Sequence, residues 1–221
     1  DWSWSRGLGD VYKRQALDKE FDLKLNEFSS IEAQIASIAD DIAYNNHDLD
    51  DGLRAGFFSY DDLVELPMIG EIIKNFPKNY NSYDMQRINN EITRKSTSIM
   101  ITDVINTISE KVKKSKVRCN EDVRLNNEKI ADFSDKTKEE VKYIRSFLSM
   151  KMYNHDKVKA MTSNAHQIIS SLFKLFIEQD EKFIKEHMKK IISDKDKPRA
   201  VCDFIAGMTD NYAQNFYNKF N

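Results

Sequence analysis

Asp40 is the residue in this chain whose surroundings in sequence most invite chemistry. It lies in Ser29–Asp48, a segment with no Lys or Arg between Ala33 and His47, although charged residues make up 32% of the chain. A helix facing solvent on its polar side normally carries long charged side chains there. This one offers alanines, Asp40 and Tyr44, with Tyr44 and Asp48 following Asp40 at four-residue steps. The pattern predicts a helix enclosed on both sides with an aspartate held inside. A buried carboxylate with no base nearby in sequence needs a positive partner. Two readings follow from the residues alone. Asp40 is either a structural acid paired with an Arg or capping a neighbouring helix, or a ligand to a divalent cation.

The elements that must position it are helical. Ile31, Ile35, Ile38 and Ile42 fall on one stripe at helical spacing and predict the core face of that helix. Ser29 and Glu32 form a Ser-x-x-Glu capping box at its start, and the acidic run around Gly52 and Gly56 marks its end. Ser59 predicts the cap of a short helix through Leu66, and Met68–Asn75 a second short one after Pro67. Residues Pro77–Ser82 read as a loop. A long helix is predicted from Tyr83 to about Val117, with Met85, Ile88, Ile92, Ile99, Val104, Ile105, Ile108 and Val112 on its apolar side. Asn120–Asp135 reads as a polar loop or a frayed turn. Helices follow at Thr137–Met152, Asp156–Phe176, Glu178–Ile192, Pro198–Ala206 and Asn211–Phe220.

Six glycines and three prolines in 221 residues leave few turn signals, and no stretch sustains the period-two alternation of a strand. The expected fold class is all-α. A net charge of −2 gives no electrostatic grip on nucleic acid or anionic lipid, and the Lys-rich runs at 111–116 and 185–190 alternate with acids as solvated helix faces do. No apolar run approaches the ~20 residues of a membrane span. The two cysteines, Cys119 and Cys202, lack metal-ligand spacing and read as reduced and structural, in a cytoplasmic protein. Residues 1–15 hold both tryptophans and no periodicity. The run Gly9–Gln15 resembles the translation of a sequencing-adapter remnant, so the segment is set apart as non-native or disordered.

Phosphate-loop, CxxC, HExxH and Gly-x-Ser-x-Gly motifs are absent from the sequence. Two His-Asp dipeptides occur. His47-Asp48 lies at the exit of the Ile-striped helix, and His155-Asp156 falls where a helix start is expected and reads as an N-cap.

The run from Ile31-Glu32-Ala33-Gln34 through Ala39-Asp40-Asp41-Ile42-Ala43-Tyr44-Asn45-Asn46-His47-Asp48 to Gly52-Leu53-Arg54-Ala55-Gly56 resembles the signature helix of the bacterial deoxyguanosinetriphosphate triphosphohydrolase-like proteins of the HD superfamily. Ala206-Gly207-Met208-Thr209-Asp210 is similar to a C-terminal mark of the same family. The resemblance covers about Ala16 to Asn221. It implies a multi-helix HD-type phosphohydrolase fold, with 16–76 the end of the HD core, 77–221 a C-terminal helical region, and the N-terminal part of the HD core missing. It also implies that Asp40 is a metal ligand, that Tyr44 lies beside the sugar and phosphates of a bound nucleotide, and that Asp48 receives the sugar 3′-hydroxyl. In the family the other ligands, a His and a glycine-flanked His-Asp pair, lie upstream, and neither His-Asp dipeptide here has that setting. The chain is therefore expected to be a C-terminal portion with one metal ligand of four and no catalytic His.

The implied activity is a divalent-metal-dependent hydrolysis of dNTPs to deoxynucleoside and tripolyphosphate, with Mg²⁺, Mn²⁺ or a similar ion as cofactor and the fragment inactive alone. The implied partners are a deoxynucleoside triphosphate and further copies of the chain, with no membrane and no strong nucleic-acid signal. The alternative is a non-catalytic helical interaction protein.

Overall fold

The structure is a computed structural model that describes residues 17–76, 84–188 and 196–220; the N-terminal segment and the predicted 77–82 loop lie outside the described residues. Among the described residues every regular element is a helix. After a helical stretch at residues 17–21, they are α1 (Ile31–Arg54), α2 (Tyr60–Leu63), α3 (Pro67–Lys74), α4 (Met85–Ser115), α5 (Asn120–Arg124), α6 (Asp135–Leu148), a π-helical turn (Ser149–Tyr153), α7 (Asp156–Glu178), α8 (Glu181–Met188), α9 (Lys197–Ala206) and α10 (Asp210–Phe220). None of these helices is long and apolar enough to cross a membrane. The chain divides into two compact units, residues 1–152 and 153–221.

In the first unit the 31-residue α4 is the axis, with α1 and α3 packed on it and α6 packed on both of those. The buried face of α4 is Ile88, Asn89, Ile92, Ser96, Met100 and Val104. Met85, Ile99 and Ile105, predicted to share the core, are exposed. The core stripe turns away from them because the buried positions run at steps of four. Lys116, at φ +54°, ends the helix in the left-handed region.

Asn120–Asp135, read as a polar loop or a frayed turn, contains the short α5 and an anchored segment. Val123, Ile130, Ala131 and Phe133 are buried there. Those four apolar side chains are spaced too irregularly to register as a helix or a strand. Ser134 caps α6 by accepting from Thr137 N, and it also bonds Asp103 of α4 through its amide (2.8 Å) and hydroxyl (2.6 Å). The start of α6 is thereby tied to α4. The helix predicted to run to Met152 gives way at Ser149 to the π turn, which ends at Tyr153.

Two close approaches fix the small helices. A Cβ at Gly70 would lie 2.2 Å from the Val64 carbonyl oxygen, so α3 can pass the end of α2 only with glycine there. Asp62 closes a reciprocal cap on α2, accepting from Ser59 N at 2.8 Å, and it also accepts from Lys151 at 2.9 Å.

The second unit closes on Ile168, Leu172, Phe176, Ile184, Val201 and Phe216, with α9 and α10 packed on α7. Phe176 stacks on Phe216 at 5.3 Å and meets Phe204 edge-on at 5.2 Å. The helix starts there follow the sequence. His155 is the N-cap of α7 and its Nδ1 accepts from Lys157 N, while Asp156 takes the first turn, where its charge suits the helix dipole. Ala206–Asp210 is the joint between α9 and α10, with Thr209 accepting from Tyr212 N. Cys119 and Cys202 are both free and exposed. Cys119 is structural as the N-cap of α5, in a reciprocal box with Asp122, whereas the exposure of Cys202 corrects the structural expectation for it.

Candidate functional site

The candidate residues lie on α1. Its N-cap is Ser30, one residue later than the capping box predicts, and Ser30 accepts from Ala33 N. Its buried face is Gln34, Ile38, Ile42, Asn45, Asn46, Leu49 and Gly52. Ile35, predicted as core, is 41% exposed. Gln34 takes the place Ile35 was expected to fill. Its Oε1 accepts from Ile130 N (2.9 Å) and Ala131 N (3.0 Å), and its Nε2 donates to Ser29 O (2.8 Å). A buried amide that saturates two loop N–H groups is worth more at that point than a buried isoleucine whose neighbours lack acceptors.

Asp40 stands nine residues, or two and a half turns, from the buried Leu49, and so on the opposite side of α1. It is exposed, as are Ala33, Ala36, Ser37, Ala43, Tyr44, His47 and Asp51. The expectation of a helix enclosed on both sides with Asp40 inside is therefore corrected. In this chain the Asp40 side is open. Tyr44 follows Asp40 one turn on, and Asp48, half-buried, a further turn on. The structure keeps the three on one strip, spaced ~6 Å apart along the axis. The paucity of long charged side chains is a property of an open face lined by methyl groups and hydroxyls, which leaves room for close approach to the backbone.

The described residues do not make a cation site by themselves. No group of three or more His, Cys, Asp and Glu among them could hold a metal ion. Asp40 alone offers a hard cation a small part of the six or more oxygen ligands it takes.

Behind the strip runs a polar layer that sequence spacing does not reveal. Asn45 and Asn46 are 1% and 2% exposed. Asn46 Nδ2 donates to Ile42 O at 2.8 Å and lies 3.5 Å from Met100 Sδ, and Asn45 Oδ1 accepts from Arg145 Nε at 3.4 Å. Arg145, near the end of α6, also reaches Asp41 Oδ1 with Nη2 at 3.3 Å. Asn45 Nδ2 and Asn46 Oδ1 have no partner among the described residues. Arg145 stands one hundred positions from Asn45, and no local pattern could have pointed to it. Farther along α1, Asp50 is bound by Arg54 at 2.7 Å, the one basic residue of the last turn. Asp50 also contributes, after burial, to raising the Tyr60 phenol above its ordinary range.

A groove of about 310 Å³ between α3, α4 and α6 shares no residue with this strip. Its basic side chains are already engaged, Arg94 in two bonds to Glu91 and Lys136 beside Glu140 at 3.8 Å.

Residues 131–219 match the model of the phosphohydrolase-associated domain. Among curated proteins, a deoxyguanosinetriphosphate triphosphohydrolase-like protein of Caulobacter sp. (strain K31) is 36% identical over 204 residues, 91% of this chain and 52% of that protein. Those so named from Caulobacter vibrioides (36% identical, 91% of this chain and 52% of that protein) and Rhizobium meliloti (34%, 90% and 50%) match alike. The chain thus spans about half the length of the curated relatives it matches. Over about nine-tenths of its length the chain is thus similar to deoxyguanosinetriphosphate triphosphohydrolase-like proteins, and residues 131–219 match a phosphohydrolase-associated domain.

Proposed function

We propose that this chain forms part of a metal-dependent dNTP triphosphohydrolase. Water adds to the α-phosphorus of a deoxynucleoside triphosphate, the bond from that phosphorus to the sugar 5′-oxygen breaks, and deoxynucleoside and tripolyphosphate leave. Asp40 is assigned as one carboxylate ligand of a divalent cation such as Mg²⁺ or Mn²⁺, whose other ligands lie outside the described residues. Tyr44 is assigned as the wall beside the sugar, and Asp48 as the acceptor of its 3′-hydroxyl. The reading includes a cytoplasmic protein that assembles with copies of itself.

The observation that carries this reading is the strip itself. Asp40, Tyr44 and Asp48 stand in file on the open side of α1, with no basic side chain from Ala33 to His47 to occupy the space a nucleotide would need. The names of the relatives add the class of chemistry. The rival reading, a helical interaction protein without catalysis, is favoured by one observation, that the described residues hold no ligand cluster.

The deciding experiment compares two proteins, the 221-residue chain and the same chain within a protein of the relatives' full length. Each is incubated with the four dNTPs and Mg²⁺ or Mn²⁺, and tripolyphosphate is measured by ion chromatography. The longer protein is expected to release tripolyphosphate and the chain alone none, with at most weak cation binding. Robust turnover by the chain alone would refute the assignment of ligands beyond it. A longer protein that binds no cation and cleaves no dNTP would leave the interaction reading in possession.

A further inference from the structure

We propose that Arg145 is a positioning residue for the Asp40–Tyr44 strip, setting the rotation of α1 and so the direction in which both side chains point. Its guanidinium reaches α1 at two places one turn apart, Asp41 Oδ1 (3.3 Å, from Nη2) and Asn45 Oδ1 (3.4 Å, from Nε). Each of these is the residue directly after a strip residue, Asp41 after Asp40 and Asn45 after Tyr44. A single contact lets a helix roll about its axis. Two contacts to residues spaced ~6 Å apart along that axis, made by neighbouring nitrogens of one rigid planar fork, oppose both rolling and sliding.

The base of the fork is itself anchored. Val141, Ile144, Phe147 and Leu148 bury the inner side of α6, and Ser134 ties its start to Asp103 of α4. Asn45 shows the direction of the constraint. It is 1% exposed, its oxygen accepts from Arg145, and its Nδ2 has no partner among the described residues. Turning the amide over would set its N–H groups against the guanidinium. Arg145 therefore selects the amide orientation as well as the helix rotation. The pair with Asp41 lies at the surface, with both side chains nearly half exposed, a setting in which an ion pair adds little to stability. The arrangement is better suited to aim than to strength.

The inference rests on the strip being the working face, and its test separates the two ideas. Incorporating 3-fluorotyrosine into the 221-residue chain, with Tyr44→Phe to assign the signal, gives a ¹⁹F reporter on the strip. Arg145→Met removes a positive charge and Asp41→Asn a negative one, so a purely electrostatic effect would move the Tyr44 resonance in opposite senses and additively. If both act by releasing the helix, the two shifts share a sign and the double variant goes no further. Arg145→Lys, which can serve only one of the two contacts, restores part of the wild-type position. The melting temperature is expected to stay within about 2 °C in Asp41→Asn, whose ion pair lies at the surface, and to fall by roughly 2–8 °C in Arg145→Met, which leaves the buried Asn45 oxygen without a donor. Opposite and additive shifts, or no shift, would overturn the proposal.

In the longer protein, Arg145→Met is expected to raise the KM for dNTP about threefold to tenfold with kcat moved less. An unchanged KM there would equally overturn it. Absence of dNTP hydrolysis by the unsubstituted protein would sink the triphosphohydrolase reading instead, and the resonance measurement would still decide the role of Arg145.

Discussion

Gly52 lies beneath the ring of Phe58, so close that a Cβ on residue 52 would stand 2.3 Å from both Cε1 and Cζ of that ring. The ring is held from the other side by Phe147 of α6, edge-on at 4.9 Å. Glycine inside a helix costs about 1 kcal/mol relative to alanine. Here it is required, because it lets the loop after α1 fold back onto the helix.

Gly52→Ala should therefore destabilise the first unit despite the gain in helix propensity. Overpacking costs ~1–3 kcal/mol, so a net loss of about 1 kcal/mol is expected. Urea unfolding at neutral pH measures it, and an alanine variant as stable as the parent would show that Phe58 can swing clear.

Asp62 makes stability depend on pH. The Ser59 amide first, then Lys151 and the Ser59 hydroxyl, lower its carboxyl from an ordinary 3.8 to about 2. A carboxyl depressed in the folded state stabilises it fully above its unfolded value. That contribution disappears as the pH falls from about 4 towards 2. Asp62→Asn should flatten this part of the pH–stability curve while lowering stability at pH 6, as read by urea midpoints across the range. Parallel curves for the two proteins would contradict it.

Asp40→Ala should leave α1 intact or slightly firmer, since Asp40 is exposed and alanine is the better helix former, by up to ~0.7 kcal/mol. In the protein of full family length it should abolish cation binding and tripolyphosphate release. Circular dichroism and Mn²⁺ titration followed by electron paramagnetic resonance provide the two readings. Unchanged cation stoichiometry would return Asp40 to a structural role.

Asp48→Ala tests substrate choice. A carboxylate that accepts from a sugar hydroxyl makes a charge-assisted bond, and a substrate lacking that hydroxyl forfeits it, a loss of ~1.5–3 kcal/mol. The full-length protein should prefer dNTPs to 2′,3′-dideoxynucleotides, and also to ribonucleotides, whose 2′-hydroxyl meets Tyr44. Asp48→Ala should erase most of the 3′ preference. Equal loss of kcat/KM on deoxy and dideoxy substrates would place Asp48 elsewhere, for instance in holding the turn before Gly52.

Helices were legible wherever apolar residues recur over several turns, as in α4, α6 and α7, and the all-α class followed from them. The failures share a cause. Gln34, Asn45 and Asn46 are buried by hydrogen bonds to Ile130, Ala131, Arg145 and Ile42. A reading by hydrophobic period assigns such positions to solvent and promotes Ile35 in their place. Asp40, Tyr44 and Asp48 were placed on one strip by spacing alone. Whether that strip is covered depends on what packs there, which spacing does not encode. Arg145 reaches α1 across one hundred residues, and only the fold brings it near.

The bond from Gln34 to Ile130 and Ala131 separates two kinds of boundary. The stretch recognisable as a phosphohydrolase-associated domain begins at residue 131, at the amide that Gln34 holds, while the chain divides as a folded object after residue 152. A gene fusion that carried off 131–219 as a unit would cut through the first body, stripping α6 from α1 and parting the Ala131 amide from its Gln34 acceptor. The recognisable stretch is thus not a separable cassette, because its first helix is seated on the helix bearing Asp40.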